Sequence, residues 1–189
     1  RHLRKRGVRM QRVPLVDSTL FYFAMENPVV GGYAPEKVAL RRALSLAYDI
    51  EAEILLLRRG QAIPAQSVLP PQLAGYDRNF RSEMSMHDLA RARALLDLFG
   101  YVDRDGDGWR ELPDGRPLEI ELATQPDQAS RQQQELWRKA ARSVGVKFAF
   151  RIAKWPEQLK ASRAGRLMMW GVAWGGANPD ASYYLDLLY

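Results

Sequence analysis

Five acidic residues in one short segment have the types and spacing of a cation-binding loop. They fall at positions 1, 3, 5, 9 and 12 of a twelve-residue stretch, namely Asp103, Asp105, Asp107, Glu111 and Asp114. Gly108 stands at position 6, and Trp109 offers a carbonyl at position 7, as in EF-hand calcium loops. The spacing fits a structural Ca²⁺ site, and we expect no other cofactor. The alternative is an Asp- and Gly-rich β-hairpin turn, because position 12 is Asp rather than Glu and no helix follows.

Three tryptophans in the last third of the chain are candidates for contact with a ligand. They are Trp155, Trp170 and Trp174. An indole offers a flat apolar face and a single donor, which suits stacking against sugars, rings or peptide planes. Trp170 lies within a predicted buried strand, so a purely structural role in the core is the alternative for it. Trp174 stands at the end of that strand, where either role fits.

The sequence contains no motif of a catalytic centre. His2 and His87 are the only histidines, cysteine is absent, and no nucleophile, phosphate-binding or dinucleotide-binding motif occurs. We therefore predict a protein that is not an enzyme and has no catalytic residues. A soluble α/β enzyme of unknown chemistry is the alternative.

The positive charge is concentrated at the amino-terminal end. Residues 1–12 contain six Arg and Lys and no acid, whereas the other residues carry equal numbers of basic and acidic groups. A basic arm can bind phosphate backbones, so a nucleic-acid-binding domain is a further alternative. No aromatic residue is interleaved with these charges, which argues against base stacking. We predict that residues 1–16 form a solvated basic strand and linker and that nucleic acid is not a partner.

Strands alternate with helices along the chain, which predicts an α/β fold with a mixed sheet flanked by helices. The predicted strands are 8–13, 19–25, 118–124, 146–152 and 167–174. Helices are predicted to begin at Pro35, to run from a cap at Asp49 to a stop at Gly60, to begin at a Ser85/Asp88 capping box, and to cover 128–144 and 156–164. Residues 61–82 are predicted to form a long surface connection. No apolar run is long enough to span a membrane, and no secretory signal is evident.

Several pieces of the chain, in order, resemble family 5, the peptide/nickel class of extracellular solute-binding proteins of ABC importers. Residues 38–49 (VALRRALSLAYD) resemble that family's VRxAlxxAxDr, and residues 60–65 (GQAIPA) resemble GxgxPa. LLDLFGY at 95–101 and Trp155-x-Glu157-x-Leu159 resemble two later motifs. The resemblance implies that residues 17–189 form most of the second lobe of a two-lobe periplasmic-binding-protein fold, incomplete at its carboxyl end.

The function implied by this resemblance is substrate capture for an importer. Such proteins bind a peptide-like or other small polar solute in a cleft between the lobes and deliver it to a membrane permease. We accordingly expect a monomer located in the periplasm or outside the cell, in association with the membrane.

The resemblance also assigns residues to the cleft. Trp155 matches a ligand-facing tryptophan. In members that bind short peptides, an acid that holds the amino group stands where this chain has Gly175, a second acid stands at Asn178, and an arginine for the carboxylate stands at Gln125. Because charge-assisted contacts are hard to replace, we expect a ligand other than a simple zwitterionic dipeptide. Candidates are a longer peptide held by its backbone, a sugar, and an aromatic or capped small molecule.

Overall fold

The structure is a computed structural model that describes residues 5–175 and 180–186, apart from the side chain of Met84. Its strands are β1 (Asp17–Phe23), β2 (Glu119–Thr124), β3 (Lys147–Ile152) and β4 (Met169–Gly175). Its helices are α1 (Pro35–Ala47), α2 (Ile50–Leu56), α3 (Leu89–Leu98), α4 (Gln128–Val144), α5 (Trp155–Arg163) and α6 (Ser182–Leu185), and a 3-10 turn covers Glu83–Ser85. The predicted α/β class is confirmed.

The four strands form one mixed sheet in the order β1–β4–β2–β3. Strand β2 runs parallel to both β3 and β4, whereas β1 is antiparallel to β4. The carboxyl ends of β2, β3 and β4 therefore lie at the same edge of the sheet as the amino end of β1. We call this side of the sheet the carboxyl edge.

The sheet buries apolar residues on both faces. One face carries Leu122 and Met169 and packs against α1 and α4, where the Trp137 ring stacks between Tyr48 and Phe148 with centroid distances of 4.3 and 5.3 Å. The opposite face is smaller. It carries Ala123, Trp170 and Val172, which pack against α5. Helix α5 therefore leads from the carboxyl edge across this second face.

Helix α4 has the bounds that the sequence predicts, because both of its ends are marked by local chemistry. The Asp127 carboxylate accepts a hydrogen bond from the Ser130 N–H, 2.8 Å away, and so caps the amino terminus. At the other end, Gly145 takes a left-handed conformation with φ of 69°.

Three local predictions are wrong. Residues 8–13 form no strand, since no described strand lies beside them to pair with their backbone, and residues 5–15 are exposed. Asp88, not Ser85, caps α3 by accepting from the Arg91 N–H, while the Ser85 hydroxyl donates to the Ala65 carbonyl. Helix α2 ends at Leu56, before the expected Gly60.

The long connection over residues 61–82 contains no helix or strand and packs beside the start of β1. The Ser18 hydroxyl donates to the Val68 carbonyl at 3.3 Å, and the Gln72 side-chain amide donates to the Pro14 carbonyl at 2.7 Å. Among the described residues, no helix combines the length and hydropathy required to cross a membrane.

Candidate functional site

The carboxyl edge brings together most of the residues that the sequence assigns to a ligand cleft. Gln125 directly follows β2, Trp155 begins α5 just after β3, and Trp174 and Gly175 end β4. In sheets with parallel strands, ligands bind in the crevice outside the carboxyl ends of those strands. Asn178 lies outside the described residues. Gln125, Trp155, Trp174 and Gly175 therefore share one edge, although they follow or end three different strands, whereas Trp170 is the second residue of β4.

Trp155 and Trp170 are in contact but have different surroundings. Their ring centroids are 4.9 Å apart with planes inclined at 41°. Trp155 is 43% exposed, whereas Trp170 is 3% exposed and belongs to the core on the second face of the sheet. Trp155 thus offers an open aromatic face, and Trp170 lies behind it as a rigid support.

Trp174 is held by the short helix that follows the sheet. Its indole N–H donates to the Tyr183 carbonyl at 3.1 Å, and its ring stacks on the Tyr183 ring with centroids 5.3 Å apart. The indole donor is therefore already used within the protein. What remains for a solute is the part of the half-buried ring that Tyr183 leaves uncovered.

Gly175 lies against an acidic side chain of the neighbouring strand. It pairs with Asp17 in the antiparallel register of β1 and β4. A Cβ placed on Gly175 would lie 2.0 Å from Oδ1 of Asp17, so the carboxylate occupies the space above this glycine. Sequence reasoning missed Asp17, because the two residues are far apart in the chain and only the strand register brings them together.

Two glutamines fix the end of β2, and sequence reasoning missed both. The Gln134 amide of α4 donates to the Thr124 hydroxyl at 2.9 Å. The Gln158 amide of α5 donates to the main-chain carbonyls of Thr124 and Arg151, at 3.1 and 3.0 Å. Gln134 and Gln158 are both buried. These contacts fix the ends of β2 and β3, which lead into Gln125 and Trp155.

The capping carboxylate at the start of α4 also lies on the carboxyl-edge side. The hydrogen bonds from the backbone N–H and the hydroxyl of Ser130 lower the pKa of Asp127 below its usual value. Asp127 therefore carries a negative charge at neutral pH, and this charge is engaged with the first turn of its own helix.

The acidic loop over residues 103–111 brings four of its five predicted ligands together. One carboxylate oxygen from each of Asp103, Asp105, Asp107 and Glu111 lies within 4.8 Å of the others. Backbone N–H groups of the loop donate to all four carboxylates. This compact arrangement of oxygens is compatible with Ca²⁺, which prefers six to eight oxygen ligands.

Asp114 does not join this group. Its carboxylate forms an ion pair with Arg116 at 2.7 Å, and hydrogen bonds from Arg116 lower the pKa of Asp114. The predicted position-12 ligand is therefore engaged elsewhere, and calcium binding stays a prediction that rests on four carboxylates.

Comparison with known proteins identifies relatives of most of the chain. The family model described as "Bacterial extracellular solute-binding proteins, family 5 Middle" matches residues 3–189. Di/tripeptide-binding protein 2 of Pseudomonas aeruginosa (strain UCBPP-PA14) is 27% identical over 155 residues, which are 77% of this chain and 25% of that protein. The chain spans about a quarter of the length of the curated relatives that it matches.

Solved structures show the same fold. The oligopeptide-binding protein AppA of Bacillus subtilis, in complex with a nonapeptide, superposes with a TM-score of 0.76 at 15% identity, over 87% of this chain and 32% of that one. NikA of Brucella suis, in complex with Fe(III)-EDTA, gives a TM-score of 0.75 at 23% identity, over 91% and 33% of the two chains.

Proposed function

Because this chain belongs to the family 5 bacterial extracellular solute-binding proteins, we propose that the full-length protein captures a solute for an ABC importer. In this proposal, the chain supplies one wall of the binding cleft. The observation that carries it is the carboxyl edge, where β2 ends just before Gln125 and Trp155 presents an open aromatic ring that packs on Trp170. Such an edge can bind a solute through stacking and backbone hydrogen bonds.

We further propose that the solute is bound without chemical conversion. The only histidine among the described residues, His87, is exposed and precedes α3, away from the ends of β2 and β4. No cysteine is present. The polar side chains that meet at the end of β2 are glutamines whose amides hold the protein's own oxygens. They are suited to fix the shape of a cleft rather than to transfer protons.

The proposed ligand is peptide-like or another small polar solute. Peptide binding is suggested by the names of the relatives, among them a di/tripeptide-binding protein and a structure that holds a nonapeptide. Gln125 offers an amide where a cationic side chain would hold a carboxylate. We therefore expect the free carboxylate of a dipeptide not to be the main determinant of binding.

The proposed partners follow from this role. The full-length protein would work as a monomer outside the cytoplasmic membrane, in the periplasm or at the cell surface, and would deliver its solute to the membrane permease of an importer. Nucleic acid is not a proposed partner.

The test uses the full-length protein that contains this chain, purified from its own host without denaturation. The protein is then unfolded, and the released small molecules are identified by mass spectrometry and added back to the emptied, refolded protein. A defined solute that binds again and is recovered unchanged would support capture without conversion. A solute that is recovered as a different compound would show an enzyme. Failure of every released compound to bind again would contradict the proposal.

A further inference from the structure

Asp17 and Gly175 are far apart in the sequence but lie next to each other at the carboxyl edge. Asp17 is the first residue of β1, Gly175 is the last residue of β4, and the two are paired across the antiparallel ladder. Strand β4 pairs with β2 only through Met169 and Trp170 and then continues to Gly175, so the Asp17 side chain stands on the carboxyl-edge side of the sheet, beyond the carboxyl ends of β2 and β3. This is the side of the sheet on which a solute binds in open α/β folds.

The contact between these residues requires glycine on β4. A Cβ on residue 175 would lie 2.0 Å from Oδ1 and 3.1 Å from Cγ of Asp17. The same arrangement occurs four residues earlier on the same face, where a Cβ on Gly171 would lie 2.8 Å from the Phe21 ring. At both places, β4 contributes only backbone and the side chain of β1 fills the space. At the edge, that side chain is a carboxylate.

The charge of this carboxylate is not used within the described part of the protein. Asp17 is exposed, and no described residue forms an ion pair with its side chain or donates a hydrogen bond to it. Asp127 differs in this respect, since its carboxylate caps α4. Asp180 also differs, since its carboxylate accepts from the Ser182 N–H at 2.8 Å. Among these three acids near the ends of the strands, Asp17 alone has its oxygens free for a solute.

We propose that Asp17 is a ligand-binding residue that accepts hydrogen bonds from a cationic group of the solute, such as a protonated amine. This inference rests on the proposed solute-binding function and specifies the charge of the ligand. Gly175 has no acidic side chain, but its partner on the neighbouring strand β1, Asp17, supplies a carboxylate at the same place. The cleft therefore has a site for a cation, while Gln125 leaves it without a matching site for a carboxylate.

The experiment measures the binding of a defined panel to the full-length protein by thermal shift and calorimetry. The panel contains alanine peptides of two to five residues, the same peptides acetylated at the amino terminus, putrescine, and a neutral oligosaccharide, maltotriose. We expect the panel members that bind to carry a free amine.

Asp17→Asn keeps the size of the side chain and should weaken their binding about ten- to a hundredfold, as expected for loss of a hydrogen bond to a charged group. Glu26→Gln, an exposed acid beyond the other end of β1, should leave binding unchanged.

A second variant moves the charge instead of removing it. Asp17→Gly combined with Gly175→Asp places the carboxylate on β4 and frees the space above it, so it should restore a large part of the affinity that Asp17→Asn loses. The proposal is overturned if the acetylated or neutral members bind as tightly as the free amines, or if Asp17→Asn binds amines like the wild type. Either result would contradict the cation site without contradicting the proposed capture of a solute. If no member of the panel binds, both the cation site and the proposed function lose their support.

Discussion

The side-chain amide of Gln158 donates a hydrogen bond to the main-chain carbonyl of Thr124, 3.1 Å away, from within a fully buried position on α5. The same amide donates to the Arg151 carbonyl of the adjacent parallel strand at 3.0 Å. One side chain therefore joins the ends of β2 and β3 at the place where both strands turn toward the carboxyl edge. This contact links the packing of the second sheet face to the geometry of the proposed cleft.

Replacing Gln158 with Leu is expected to destabilise the protein. Each of the two hydrogen bonds is worth about 0.5–1.5 kcal/mol net, which gives a total of about 1–3 kcal/mol. The Thr124 carbonyl keeps its bond from the Ala153 N–H, which limits the loss at that atom. Urea denaturation of the full-length protein measures the difference. The exposed substitution Lys160→Leu on the same helix should stay within about 0.5 kcal/mol, and an equal effect of both substitutions would contradict the role given to Gln158.

Replacing Trp155 with Ala is expected to weaken ligand binding about ten- to a hundredfold, as for an aromatic anchor in an interface. The reason is that its exposed ring, backed by Trp170, offers a flat apolar surface at the carboxyl edge. Trp155→Phe should retain part of the affinity. Calorimetric titration with the solute recovered from the wild type gives the measurement. Tyr33→Ala removes a more exposed ring from the loop before α1, and a similar loss there would show that Trp155 has no special role.

The parts of the fold that depend on local chemistry could be predicted from the sequence. Helix α4 was predicted with its observed bounds because a capping Asp127 and a terminating Gly145 act within a few residues of the helix itself. The alternation of apolar and polar residues over 8–13 predicts a strand that does not form, because strand formation depends on more than local sequence. A strand exists only when a neighbour accepts its backbone hydrogen bonds, and the arm has no such neighbour among the described residues.

The candidate site was predictable only in part. Trp155, Gln125 and Gly175 could be assigned from motif position, and the structure places all three at the carboxyl edge. Asp17 and Gln158 could not, because their roles depend on which strands are adjacent and in which register. No local pattern around Asp17 indicates that its carboxylate lies above the last residue of β4.

Calcium is expected to stabilise the protein through the acidic loop. With free Ca²⁺ at a hundred times the Kd, the stabilisation would be about 2.7 kcal/mol. Asp103→Asn should abolish this effect, because Asp103 is one of the four carboxylates that lie together. Asp114→Asn should retain it, since Asp114 pairs with Arg116. Thermal denaturation in Ca²⁺ and in EDTA makes the comparison. An unchanged melting temperature in the wild type would favour the simple turn.

The capping carboxylate of α4 should make part of the stability depend on pH. The hydrogen bonds from Ser130 lower the pKa of Asp127 in the folded state, so its stabilising effect is complete above the unfolded pKa of about 3.9. That effect is lost as the pH falls through the lower folded pKa of Asp127.

At pH 7, Asp127→Ala should cost about 1 kcal/mol of folding free energy, within a range of about 0.5–2. Urea denaturation at pH 7 and at lower pH should show this gap narrowing below about pH 4. Asp127→Asn provides the control, because an amide caps a helix nearly as well and does not titrate. A gap between wild type and Asp127→Ala that stays constant with pH would show that the charge of Asp127 contributes nothing to the cap.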